Sequence, residues 1–162
     1  MDSSIKVSDE DKFKMRLHIN ELLTNGFDHS GSKTPCYVCA QWYPHKRDIK
    51  ISVADGGMGI LENLNRSGKY GIFTNHAVAI KKATKQGVTT RVNKEGGMGL
   101  TYVRKYTIRT GGLLTIISGN AKVNFYSNKM EIKEHASNFE GTIVEIRVRP
   151  GKEVIAQREK YF

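Results

Sequence analysis

The sequence contains no apolar run near the roughly 18 residues that a membrane-spanning helix needs. Its first residues, MDSSIKVSDEDKFK, are polar and mixed in charge, whereas a secretory signal peptide has an apolar centre. Internal repeats and low-complexity tracts are also absent. We therefore expect a cytoplasmic protein without a membrane partner.

Cysteine is scarce: the chain has two, Cys36 and Cys39, in the run PCYVCAQW. A C-x-x-C pair can be half of a zinc site or a redox pair. Zinc needs two further ligands, and the nearest downstream candidate, His45, stands at an unsuitable spacing. The flanking residues favour a strand, in which positions three apart point to opposite faces. The favoured interpretation is therefore two small hydrophobic side chains in a reduced protein.

Acidic residues are outnumbered, with 16 Asp and Glu against 26 Lys and Arg, which gives a net charge of +10. This balance suits a polyanionic partner such as nucleotide phosphates, nucleic acid or an acidic protein surface. The basic residues are scattered, however, without the interleaved aromatic residues that single-strand binders use. Nucleic acid is therefore the least favoured of these partners.

At 162 residues, the chain is long enough for one domain with a core and too short for two, so we predict a single domain over residues 1–162. The predicted elements are a helix over 8–28, strands over 36–42 and 48–54, a loose segment over 61–96 with a short helix at 75–86, a helix from 99 to about 110, and strands over 113–118, 121–127, 129–133 and 141–149. This order predicts an α+β fold: a two-layer sandwich with helices on one face of a mostly antiparallel mixed sheet.

One side of the predicted first helix is polar, because Glu21, Asn25 and Asp28 fall on one stripe at about 100° per residue. The opposite side is apolar and carries Met15, Ile19, Leu22 and Leu23. A carboxylate and an amide on one stripe can hold a hydrated Mg²⁺ ion and a water molecule. The same pattern is typical of any surface helix, so the stripe alone does not separate the two interpretations.

Two GGMG turns follow this helix, at 56–59 directly after Asp55 and at 96–99 before a helix. Asp55 and Thr142 both fall on the buried side of their predicted strands, and a buried carboxylate needs a partner. Neither turn fits the P-loop pattern GxxxxGK[ST] or the Rossmann pattern GxGxxG. The pattern that remains is ExxxN, DxGxG, GxGL and a late-strand GT.

This set resembles the GHKL superfamily, which includes gyrase, the large heat-shock chaperone, histidine kinases and mismatch-repair ATPases and has the Bergerat ATP-binding fold. The matches occur in order: Glu21, Asn25 and Asp28 in the N box, Asp55, Gly57 and Gly59 in the first glycine box, Gly97, Gly99 and Leu100 in the second, and Gly141 with Thr142. The sequence looks most like small stand-alone members related to anti-sigma-factor serine kinases and to histidine-kinase ATPase domains.

The resemblance implies ATP and Mg²⁺ as ligands. Asp55 would accept a hydrogen bond from the adenine amino group, and Thr142 would support that contact directly or through water. Gly57 and Gly59 would let the backbone pass close to the base and ribose.

The same resemblance assigns a second group to the phosphates. Asn25 would ligate Mg²⁺. Gly97 and Gly99, at a helix N-terminus, would present N–H groups to the phosphates, and Thr101 would add a hydroxyl. Glu21 would orient or deprotonate the attacking nucleophile.

The loose segment over 61–96 is interpreted as a lid. Because it has few apolar anchors, we expect it to be poorly ordered or open without nucleotide. Four basic residues in it would reach the phosphates or, in the favoured interpretation, remain solvated: Lys81, Lys82, Lys85 and Arg91.

Two functions stay open. The first is a Mg²⁺-dependent ATP-binding enzyme that hydrolyses ATP or transfers its γ-phosphate to a protein. The alternative is an ATP-gated regulatory module with little or no turnover. Both predict a protein partner, a regulator or a phosphoacceptor, and allow a homodimer. Because little chain precedes Glu21, we also expect either an excised domain or one that borrows structure from a partner.

Overall fold

The computed structural model describes residues 8–29, 35–90, 99–127 and 129–150, with side chains up to Gly26 in the first helix. The elements are α1 (Asp9–His29), β1 (Tyr37–Tyr43), a 3₁₀ turn (Pro44–Lys46), β2 (Asp48–Asp55), α2 (Gly59–Ser67), α3 (His76–Ala83), α4 (Gly99–Arg109), β3 (Leu113–Tyr126) and β4 (Lys129–Val148). The strands form one sheet in the order β1-β2-β4-β3. Within the described ranges, no helix has the length and apolarity to cross a membrane.

Helix α1 begins where the sequence predicts. The Ser8 hydroxyl accepts a hydrogen bond from the N–H of Asp11 at 3.1 Å, which makes Ser8 the N-cap. Asp9, Glu10 and Asp11 supply negative charge to the first turn, where the helix dipole favours it. The predicted apolar side also packs inward: Leu22 is buried, and Met15, Ile19 and Leu23 lie against the core.

The core lies between the helices and one face of the sheet. Its strand residues alternate: Ile51 and Val53 on β2, Leu114 and Ile116 on β3, and Val144, Ile146 and Val148 on β4. The other face carries charge pairs, including the buried Asp48 carboxylate, which accepts a hydrogen bond from Arg149 Nε at 2.8 Å. The predicted α+β class is confirmed, and every strand pair in the described part of the chain is antiparallel.

Strands β3 and β4 each contain two of the predicted strands. The predicted break near residue 119 is a reversal of the chain within β3, because Gly119 adopts a φ of +60° and the Thr115 hydroxyl donates to Asn124 Oδ1 at 2.9 Å. Within β4, residues 129–134 pair with residues 121–126, whereas residues 142–148 pair with β2. We call residues 121–126 together with residues 129–134 the arm.

The predicted loose segment over 61–96 is wrong at its start, because 61–67 belong to α2. The expectation of few apolar anchors is also wrong for the described part of the segment: Leu64 on α2 and Ala77, Ala79 and Ile80 on α3 are buried. The Asn65 side chain both donates to and accepts from the Phe73 backbone, at 2.9 and 2.7 Å. Residues 91–98, which complete the predicted lid, lie outside the described residues.

Candidate functional site

Asp55 ends β2 opposite Thr142 of β4 and is 9% exposed. One oxygen of its carboxylate accepts the Gly57 N–H at 2.9 Å. Burial raises the pKa of the Asp55 carboxyl, and the backbone N–H groups of Gly57 and Thr142 oppose that rise. The D-x-G spacing thus fixes the orientation of a buried acceptor and leaves it with lone pairs for a further donor.

Ser118 joins β3 to α2 and β4 beside Thr142, and it was not identified from the sequence. Its hydroxyl accepts the Ile60 N–H at 2.9 Å, donates to the Gly141 carbonyl at 3.0 Å and lies 3.4 Å from the Thr142 hydroxyl. Ser118 is 1% exposed, so all three contacts are shielded from water. A signal was available, because Ser118 is the polar residue that continues the apolar series Leu114 and Ile116.

Two glycines let these elements meet. Gly59 has a φ of +77°, and a Cβ there would lie 2.8 Å from the Ser118 hydroxyl oxygen. A Cβ at Gly141, whose φ is +103°, would overlap the Asp55 carbonyl. Both positions therefore favour glycine for backbone conformation and close packing. Packing therefore favours glycine at position 59 in addition to the predicted approach of its backbone to a ligand.

The second predicted group meets where α1 crosses the start of α4. A Cβ on Gly99 would overlap the Glu21 carboxylate and lie 3.5 Å from Asn25 Nδ2. The first N–H groups of α4 have no partner within the helix, and they carry its positive dipole end. A carboxylate, an amide and a helix N-terminus are thus in direct contact.

The two groups are neighbours through the residue after Asn25. A Cβ on Gly26 would lie 2.6 Å from Cys36 Sγ and 3.9 Å from Val53 Cγ1. Burial and the charge of Asp55 both raise the pKa of the Cys36 thiol. Because Cys36 adjoins both Gly26 and Asp55, the Asn25 end of α1 lies over the end of β2.

The cysteines do not share a site. Cys36 is half-buried, and Cys39 is exposed on the opposite face of the sheet. Across the described ranges, no three His, Cys, Asp or Glu residues converge as a metal cluster. The two side chains point to opposite faces of the sheet, as the strand pattern predicts.

The remaining predicted site residues are Thr101 and Leu100 on α4, Asp28 and Gly97. The Thr101 hydroxyl is buried and donates to the Thr84 carbonyl at 3.1 Å, and its contribution to the phosphates stays a prediction. Leu100 packs against the core. The Asp28 side chain and Gly97 lie outside the described residues, and their roles stay predictions.

The basic residues of the predicted lid lie at the surface where they are described. Lys81 and Lys85 are exposed, and the Lys82 ammonium lies 4.8 Å from the centre of the Tyr70 ring. Arg91 lies outside the described residues. These positions agree with solvated surface charge.

Comparison with known proteins agrees with this geometry. A sequence profile described as "Histidine kinase-, DNA gyrase B-, and HSP90-like ATPase" matches residues 10–152. No curated protein matches the chain. The solved ATPase region of Saccharomyces cerevisiae topoisomerase II is similar with a TM-score of 0.46 and 11% identity, over 86% of this chain and 37% of that one. The chain therefore spans little more than a third of that protein's chain. Because the profile extends from α1 past β4, the chain belongs to the family of histidine kinase-, DNA gyrase B- and HSP90-like ATPases, as an ATP-binding module of that family.

Proposed function

We propose that this domain binds ATP with Mg²⁺ and hydrolyses it or transfers its γ-phosphate to a protein. The observation that carries the proposal is the contact of Glu21 and Asn25 with Gly99 at the start of α4. A helix N-terminus attracts phosphate, an amide oxygen suits Mg²⁺, and a carboxylate can act on a nucleophile. A phosphate cradle, Mg²⁺ ligands and a residue that positions the nucleophile are recurring parts of phosphoryl-transfer sites.

The base would bind at Asp55. Its carboxylate keeps acceptor capacity beyond the Gly57 bond, so it would accept from the adenine amino group. The Thr142 hydroxyl, 3.4 Å from Ser118, would hold the same edge of the base directly or through water. Gly57 and Gly59 would line the base and ribose. This arrangement favours adenine, since guanine presents a carbonyl oxygen where adenine presents an amino group.

The phosphates would bind where α4 begins, at Gly99 and Leu100 and, by the resemblance, Gly97. Asn25 would hold Mg²⁺ together with phosphate oxygens and water. Mg²⁺ usually has few protein ligands, so one amide is enough for this arrangement. Magnesium, when bound, would neutralise charge on the phosphate oxygens. Glu21 would orient or deprotonate the nucleophile, and Asp28 would support the N box from the next turn of α1.

A second function is favoured by one contact: an ATP-gated module whose partner reads the nucleotide state. The Thr101 hydroxyl, in the first turn of α4, donates to the carbonyl of Thr84, directly after α3. Occupancy at the start of α4 would thus bias the position of α3 without any turnover. The partner would be a regulatory protein here and a phosphoacceptor in the first function.

Calorimetric titration with ATP and Mg²⁺ tests binding, with Asp55→Asn as the variant. We expect wild-type binding that Asp55→Asn loses, because the amide presents a donor to the adenine amino group. Asp48→Asn is the matched control: it removes another buried carboxylate of β2, at the far end of the strand. Equal loss in both variants, or no wild-type binding, would contradict the proposed pocket.

Turnover then separates the two functions. Glu21→Ala should abolish phosphate release or protein phosphorylation while leaving ATP affinity within about twofold, because Glu21 is assigned to the nucleophile. Wild-type binding without any turnover would favour the ATP-gated module.

A further inference from the structure

Strand β1 is an edge of the sheet and is open to solvent. In the part of the chain that the structure describes, it pairs with β2 alone. Its first six residues are exposed and its last is half-buried. Tyr37, Val38 and Trp42 are 67%, 52% and 37% exposed. The helix layer therefore leaves β1 uncovered.

This edge lacks the usual protection against pairing. Natural edge strands carry charge, proline or a bulge, because their free N–H and C=O groups otherwise recruit another strand. The sequence of β1, YVCAQWY, has no charged residue, and its pairing with β2 runs without a bulge. The chain does protect its other open edge, the β4 strand of the arm, with Lys129, Glu131, Lys133 and Glu134. The contrast indicates that β1 is kept free of charge for a partner strand.

We propose that β1 pairs antiparallel with β1 of a second copy of this chain, with Ala40 opposite Ala40. In a two-fold symmetric pair, opposite residues lie on the same face of the sheet, so each register is centred on one residue. Pro35 and Pro44, which have no N–H to donate, bracket the strand. Centring on Ala40 is the register that pairs all of β1 between these prolines.

The side chains fit this register on both faces. Val38 lies opposite Trp42 on the helix side, and Tyr37 lies opposite Tyr43 on the other side. Aromatic pairs and pairs of an aromatic with a β-branched residue are among the favourable cross-strand contacts. The β1–β2 register places Val38, Ala40 and Trp42 on the face of Ile49, Ile51 and Val53. The pairing would thus continue the apolar helix-side layer of each copy into the other.

The expected dimer is weak. Two strands of seven residues bury less than the ~800 Å² per partner of a standard interface, so we expect dissociation in the micromolar range or above. The inference does not depend on the proposed function, because it concerns an edge strand and no ligand.

Sedimentation velocity over a concentration series tests the dimer. Wild type should shift from monomer to dimer as concentration rises. Ala40→Lys and Ala40→Glu should each weaken the dimer roughly tenfold or more, because each places two like charges opposite one another. An equimolar mixture of the two variants should restore it, and this recovery separates charge repulsion from misfolding.

Ile132→Lys is the matched control, since Ile132 is 49% exposed on the arm and lies on the other open edge. It should leave the dimer unchanged. The proposal is overturned by a wild type that stays monomeric at millimolar concentration, by a dimer that survives both Ala40 variants, by a mixture that fails to re-form dimers, or by a loss caused by Ile132→Lys.

Discussion

Replacing Ser118 by alanine should weaken both the fold and ATP binding. The substitution leaves the Ile60 N–H without an acceptor and the Gly141 carbonyl without its donor, in a position that is 1% exposed. An unsatisfied buried group costs about 1–3 kcal/mol, so we expect a loss of about 2 kcal/mol in the free energy of unfolding. For a chain of this size, that loss lowers the Tm by roughly 4–8 °C.

The effect on ATP follows from what Ser118 positions. The Ser118 hydroxyl accepts the Ile60 N–H in the first turn of α2 and lies 3.4 Å from the Thr142 hydroxyl. Its removal therefore loosens two sides of the proposed adenine pocket. We expect about a tenfold higher Kd, equivalent to about 1.4 kcal/mol. Urea denaturation and calorimetric titration with ATP and Mg²⁺ measure the two effects on the same protein sample.

Thr115→Val is the control for a buried hydroxyl on the same strand. Thr115 is 7% exposed and donates to Asn124 Oδ1 at 2.9 Å, on the sheet face away from the site. It should cost about 1 kcal/mol of stability and leave the Kd for ATP within about twofold. If both variants changed the Kd equally, or if Ser118→Ala unfolded at the wild-type urea concentration, the reasoning would be refuted.

Further predictions concern three single positions. Because burial raises the pKa of Asp55, ATP affinity should fall as pH is lowered through that raised pKa, as calorimetry over a pH series above the ordinary aspartate value of 3.8 would show; an affinity that stays constant down to pH 3.8 would contradict the adenine contact. The raised pKa also means that the folded state favours the protonated Asp55 carboxyl. The stability that this carboxyl contributes is therefore present below pH 3.8 and is lost as pH rises through the folded pKa. At pH 7, Asp55→Asn should unfold no earlier than wild type. Gly99→Ala should weaken ATP binding, because its Cβ would lie 3.5 Å from Asn25 Nδ2 and disturb the proposed Mg²⁺ ligand at the start of α4, while its circular dichroism spectrum stays helical. Burial lowers the pKa of His18, so the stability that this residue contributes is present above pH 6.5 and is lost as pH falls through the folded pKa. Urea denaturation over a pH series should show a loss of up to about 1.4 kcal/mol per pH unit. If His18→Phe showed the same slope, the pH dependence would come from another group.

Local chemistry made much of the fold predictable. The cap at Ser8 marks the start of α1, because a hydroxyl before an acidic turn satisfies free N–H groups wherever the helix later packs. The alternation around Ile51 and Val53 likewise identifies the buried face of β2. Asp55 lies on that face at the end of the strand, where a buried carboxylate needs a hydrogen-bond donor. Each of these features depends on residues that are close together in the sequence.

The misses depended on contacts between distant residues. The α2 sequence contains Asn63, Asn65 and Ser67, which favour turns, and its helix depends on burying Leu64 against neighbours that local patterns do not specify. Thr101 could be placed on α4 from the sequence, but its acceptor, the Thr84 carbonyl, could not.

The contacts of Asn75 have a mechanical consequence for α3. Its side chain donates to Glu134 of the arm at 3.0 Å and accepts the Val78 N–H at 3.0 Å as the N-cap of α3. One amide side chain therefore joins the start of α3 to the open edge of the sheet. A displacement of that edge would be transmitted to the N-terminus of α3.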